Sequence, residues 1–177
     1  MTAAELIEAA ALNEDAAALA TAEMGCGELI EALARSGRQT EGVRALAHAL
    51  PPREAIRWAA EYIRRAAPAS AGEASALEAV ERWLADPSDE NRRAALAAAE
   101  RASGKAAGVL AIAVFLSEGS VAPPQAPVVP PVRFAAAKAA SGAMALAVVS
   151  SEPAKAKERF AALIEDGMRR ARELKIW

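Results

Sequence analysis

The sequence predicts an all-α protein: a single domain built as an irregular bundle of about eight helices, with a long ordered proline-rich loop between two buried central helices. Three observations predict it. Roughly 50 of the 177 residues are alanine, the residue that loses least on entering a helix. Apolar residues recur at spacings of three and four along most of the chain, and no stretch alternates with the period of a strand. Two apolar runs, Lys105 to Leu116 and Phe134 to Val149, have no polar face, whereas the segments before and after them are amphipathic. Amphipathic helices need an apolar surface to lie against, and these two runs supply it. The length is enough for one sizeable core.

Each element has its own signal. Thr2-Ala3-Ala4-Glu5 has capping-box spacing and starts a helix near residue 2. Asn13 caps a second helix running to Met24, with Glu14 and Asp15 in its first turn and Gly25-Cys26-Gly27 as its stop. Glu28 to Ser36 is a third, striped by Leu29, Ile30 and Leu33 and ended by Gly37. Thr40 caps a fourth, with Val43, Leu46, Ala47 and Leu50 as its stripe, and Pro51-Pro52 breaks the chain. Arg53 to Ala67 is the clearest amphipathic helix: Ile56, Ala59, Ala60 and Ile63 make one ridge, Trp58 and Tyr62 a second. After a linker from Pro68 to Gly72, Glu73 to Ala85 repeats the design with Leu77, Val80, Leu84 and Trp83. Ser88 caps a helix to about Ser103 whose one large apolar residue is Leu96.

The first central helix follows. The prolines between Gly119 and Val132 forbid a helix and favour polyproline-type extension, a strap whose valines pack on the surface. The second central helix carries Gly142 and many alanines, which permit close crossing. Ser151 caps the last helix, Pro153 sits in its first turn, and Gly167 marks a kink or a close contact. The chain therefore divides into acidic N-terminal helices (1–50), amphipathic pairs leading into the first buried helix (51–117), the strap (118–133), and the second buried helix with a basic C-terminal helix (134–177).

Charge excludes some partners. A net charge of −2 argues against nucleic acid, which calls for a basic excess or face. The pairs Arg64-Arg65, Arg92-Arg93 and Arg169-Arg170 are scattered among acids without aromatic interleaving, and read as solvated helix faces. The acidic start and basic end balance if they pack side by side; otherwise the basic end meets an acidic partner. The first dozen residues carry Glu5 and Glu8 and no basic leader, and no apolar run reaches membrane-span length, so the expectation is a cytoplasmic protein with no membrane span.

Three local patterns stand together: Leu50-Pro51-Pro52-Arg53-Glu54-Ala55 followed by Trp58-Ala59; Trp83 with Asp86-Pro87-Ser88-Asp89-Glu90-Asn91-Arg92-Arg93-Ala94-Ala95; and Phe115-Leu116-Ser117-Glu118-Gly119-Ser120-Val121-Ala122-Pro123-Pro124 leading to Val129-Pro130-Pro131. The set resembles an uncharacterised bacterial family of small all-helical proteins associated with type VI secretion gene neighbourhoods. The likeness runs from about residue 45 to about residue 170 and departs at Glu118-Gly119, where the family pattern has two glycines. It implies a context, and no catalytic residue comes with it.

The residues offer little chemistry. His48 is the sole histidine and has no acid or second histidine one turn away, so no metal site is expected. Cys26 is the sole cysteine, which excludes an internal disulfide. It lies before a helix, where a thiolate is stabilised, so Cys26 as nucleophile is the enzymatic alternative. The glycine-containing pieces follow no strand, and no phosphate loop or cofactor site is expected. Glu14-Asp15, Asp89-Glu90 and Glu165-Asp166 fit first-turn or solvated roles.

The remaining candidates are surfaces. Trp58, Tyr62 and Trp83 serve either as core anchors against which strap prolines stack or as a partner's hot spot. Pro123, Pro124, Pro127, Pro130 and Pro131 serve as an internal strap or, through the PxxP steps from Pro124 to Pro127 and Pro127 to Pro130, as a ligand for an aromatic groove. The expectation is a non-catalytic helical protein-interaction module, an accessory, adaptor or chaperone-like protein linked to a bacterial secretion apparatus. An immunity-type protein that neutralises a cognate toxin is the alternative.

Overall fold

A computed structural model describes residues 1–66 and 70–177. Its described residues form ten α-helices and no strand: α1 (Ala3–Ala9), α2 (Glu14–Ala17), α3 (Cys26–Arg35), α4 (Gln39–Ala49), α5 (Pro52–Ala66), α6 (Ala71–Ala85), α7 (Asp89–Arg101), α8 (Ala106–Phe115), α9 (Ala135–Ser151) and α10 (Ala156–Glu173). The all-α single-domain prediction holds. The expected end of the fifth helix at Ala67 and the linker start at Pro68 lie outside the described residues.

The two apolar runs sit at the centre. Helix α8 packs against α5, α6, α7 and α9, while α9 packs against α4, α5, α8 and α10. Most of α8 is buried because it has no polar face, but Ile112 is exposed. Trp58 and Trp83 are the two largest fully buried side chains. Around them alanine lets backbones approach closely, and glycine allows more. A Cβ on Gly108 would stand 2.2 Å from the Ala102 carbonyl oxygen, and one on Gly72 would stand 2.3 Å from that of Arg101. Those two glycines set how closely α8 and α6 meet the end of α7.

Several element boundaries differ from the sequence reading, among them the sixth helix, which opens at Ala71 with Ser70 as its cap rather than at Glu73 after a linker to Gly72. The second helix stops at Ala17 rather than Met24, although Asn13 caps it by accepting from the Ala16 N–H at 3.0 Å. Beyond Ala17 the chain continues in turns, with Leu19, Ala20 and Met24 still packed against the core, so the apolar residues dock without the helix that their spacing predicts. Gly25 starts the next helix instead of stopping the previous one: the Glu28 carboxylate accepts the Gly25 N–H at 2.7 Å, so α3 begins at Cys26. Helix α4 begins at Gln39 with Arg38 at its cap, in place of Thr40. Ser151 ends α9, its hydroxyl donating to the Ala147 carbonyl at 2.9 Å. Pro153 then opens a 3₁₀ turn, and α10 follows at Ala156.

Gly167 is a close contact: its Cβ position lies 2.8 Å from the Trp58 ring and 2.9 Å from a Leu46 methyl. Gly142 is not, because nothing lies within 4 Å of its Cβ position. The acidic and basic ends meet, with Arg172 bonded to Glu31 across α10 and α3, while Arg170 bonds to Glu61 of α5. None of the helices formed by the described residues is long and apolar enough to cross a membrane.

Candidate functional site

The segment between α8 and α9 is held by its first residues. Arg92, on the second turn of α7, is 1 % exposed. Its Nη1 donates to the Phe115 carbonyl at 2.6 Å, its Nη2 to the Ser120 carbonyl at 2.8 Å, and its Nε to Asp89 at 3.0 Å. The guanidinium also lies 4.8 Å from the centroid of the Phe115 ring. Arg93 adds bonds to the carbonyls of Ser120 at 3.2 Å and Ala122 at 3.1 Å. Asp89 binds both arginines, and their donation, Arg93 first, holds its carboxyl below the usual aspartate range. A planar fork of five donors suits this task, since one side chain can tie the end of α8 and the loop root to α7.

The local chain is shaped to admit the fork. Ser88 caps α7 by accepting from the Asn91 N–H, which puts Asp89 one turn before both arginines. Gly119 has φ +69°, a left-handed conformation suited to glycine. A Cβ there would also lie 3.1 Å from the Arg92 guanidinium. Ser120 then closes the loop neck. Its hydroxyl accepts from the Ala122 N–H at 3.2 Å and the Val129 N–H at 3.0 Å, and the Val121 N–H donates to the Val129 carbonyl at 2.8 Å.

Beyond this neck the loop faces water. Pro123, Pro124, Pro127 and Pro130 are exposed and Pro131 is half-buried. Val128 is 78 % exposed and Val132 81 %, so these valines do not pack on the surface as the strap reading expects. Backbone bonds at the root, rather than side chains along the length, fix the segment. Trp58 and Trp83 lie wholly inside the bundle and Tyr62 is half-buried. The loop and the two indoles are therefore separate features.

Arg92 is the residue of this cluster that the sequence reading misplaced. It treats the pair as a solvated face, yet Arg92 is interior. No local signal marks its burial, because the carbonyls that hold it belong to Phe115 and Ser120, 23 and 28 residues further along the chain.

The other candidates engage different partners. The Cys26 thiol is buried and donates to the Met1 carbonyl at 2.9 Å. Burial raises its pKa, the opposite of what activates a nucleophile. His48 Nδ1 bonds to the Arg44 carbonyl at 2.8 Å, and burial holds the ring below its ordinary pKa. Neither side chain hydrogen-bonds to the other. Among the described residues no group of three or more His, Cys, Asp or Glu is placed to hold a metal.

Fold and surface together define a class: an all-α single-domain protein carrying a proline-rich loop fixed by a buried arginine. A model of a family of unknown function, DUF6931, matches residues 29–171. The chain belongs to that family, and the matched span includes both the arginine pair and the loop. Neither a curated protein nor a solved structure matches the chain.

Proposed function

We propose that this protein is a non-catalytic helical interaction module, an accessory, adaptor or chaperone-like protein acting in the cytoplasm beside a bacterial secretion apparatus. The proline-rich loop is its recognition element. The observation that carries the reading is the contrast between the loop's root and its tip. A guanidinium is costly to bury unless every bond is made, and Arg92 makes its bonds to Asp89, to the end of α8 and to the first root of one loop. That loop then holds prolines and valines in water, where they contribute nothing to the core. Fixing such a loop beforehand lowers the entropy lost when a partner binds. The likeness of the Asp86–Ala95 and Phe115–Pro124 patterns to the secretion-associated family supports the setting.

The test is co-purification from the native host with wild type and with a Val128→Asp, Val132→Asp double variant. Both side chains are exposed, so the bundle should melt unchanged. The reading expects a stoichiometric partner on the wild type and none on the variant. A partner kept equally by the variant, or no partner on either, would refute it.

A further inference from the structure

We propose that the cavity beneath the second root of the loop is a binding site for a carboxylate carried on a small apolar group. The cavity measures about 240 Å³. Leu50, Leu116, Pro131 and Phe134 give it apolar walls, and His48, Arg133 and the first turn of α9 give it polar atoms.

Two independent observations point to a ligand. The first is a set of free backbone donors. The Ala135 N–H is bonded to the Val132 carbonyl and the Lys138 N–H to that of Phe134, but the Ala136 and Ala137 N–H groups have no acceptor among the described residues. No side chain caps α9, and both alanines are buried at 4 % exposure. The residue at the cap, Phe134, is held at φ +64°, a conformation unfavourable for an aromatic residue. Orphan donors at the positive end of a 17-residue helix favour an anion. The second observation is His48, a polar side chain only 5 % exposed that lines the same cavity. Its Nδ1 is committed to Arg44, and its Nε2 has no protein partner among the described residues.

Arg133 completes the set. It lines the cavity with its guanidinium 4.5 Å from the Phe134 ring centroid. A carboxylate here accepts from the two amides and Arg133. The apolar walls select a short aliphatic tail over a bare inorganic anion. An anion opposite Nε2 also favours the protonated ring, against the nearby positive charges of Arg44 on α4 and Lys138 on α9, with Arg133 of the loop lining the same cavity.

The chain has one histidine, so its ring proton is an unambiguous NMR probe. The full-length protein is titrated with isobutyrate and, separately, with neutral isobutyramide. Isobutyrate should shift the His48 resonance and the Ala136 and Ala137 amides saturably and raise the His48 pKa, and isobutyramide should do neither. Arg133→Gln, at an exposed position, should weaken isobutyrate about tenfold, the loss of one charge-assisted bond. N-acetyl-Ala-Val with a free carboxylate, against its C-terminal amide, tells the source. Tighter binding of the free-acid peptide than of isobutyrate assigns the site to a polypeptide C-terminus, and equal or weaker binding assigns it to a small organic acid. No saturable shift with either carboxylate, or equal shifts with acid and amide, would overturn the proposal.

Discussion

Replacing Arg92 with methionine tests what fixes the loop. Methionine keeps an unbranched apolar stem and removes all the donors. Four consequences follow, of unequal size. Asp89 is 60 % exposed at its side chain, so its carboxylate returns to water at little cost. The Ser120 carbonyl keeps the 3.2 Å bond from Arg93. The Phe115 carbonyl is left buried without its donor, which costs about 1–3 kcal/mol, and the cation–π contact is worth about 0.5–1 kcal/mol more. Against these stands the relief of no longer desolvating a guanidinium. The net expectation is a loss of about 2 kcal/mol, or about 4–8 °C in Tm for a chain of this size. Urea unfolding measures the loss. Amide exchange at Val121 and Val129 should accelerate in step, since both close the neck. A change below about 0.5 kcal/mol, with exchange at both amides unaltered, would show that the guanidinium does not hold the loop.

The two glycines of the last helices should behave oppositely. Gly142→Ala enters open space in a helix and should stabilise by about 0.5–1 kcal/mol. Gly167→Ala drives a methyl into Trp58 and Leu46 and should destabilise by about 1–3 kcal/mol, and urea midpoints separate the two. His48 should make stability depend on pH. Its folded pKa lies below the ordinary 6.5 because the ring is desolvated, so the unfolded chain takes up a proton first as pH falls. Stability is therefore complete above about pH 6.5 and declines below it, by at most about 1.4 kcal/mol per pH unit, until the folded ring protonates. His48→Gln should flatten that slope between pH 7.5 and 5.5. Asp89 contributes in a separate window: its lowered pKa stabilises above the unfolded value of 3.8, and that contribution is lost as pH falls through the lower folded value. Cys26 should react with iodoacetamide at pH 7 more slowly than a free thiol, and denaturant should restore the ordinary rate. Faster alkylation in the native state would revive a nucleophilic role.

Much of the architecture was readable because it follows from periodicity. The stripe of Ile56, Ala59, Ala60 and Ile63 defines α5, and the lack of any polar face on Lys105 to Leu116 places α8 at the centre. Capping residues marked the starts of α1, α2 and α7, where a side chain accepts the amide three residues on, whereas the Ser70 cap that opens α6 at Ala71 went unread. The ends near Gly25 and Ser151 were misread because either residue can stop one helix or start the next, and tertiary packing decides. Arg92 was unreadable for a deeper reason. Its burial depends on carbonyls 23 and 28 residues away, and no local pattern encodes where those carbonyls point. The free amides of Ala136 and Ala137 are equally silent in the sequence, because alanine at a helix start looks the same whether or not its N–H finds a partner.

The neck drawn tight by the Ser120 hydroxyl separates two kinds of sequence. Everything outside it answers to the bundle, while the exposed residues 123–128 do not. A tip of different length or lettering should therefore be tolerated on this scaffold, provided Ser120, Gly119 and the arginine pair stay. A foreign peptide spliced between Ala122 and Val129 should be displayed on an otherwise unaltered protein.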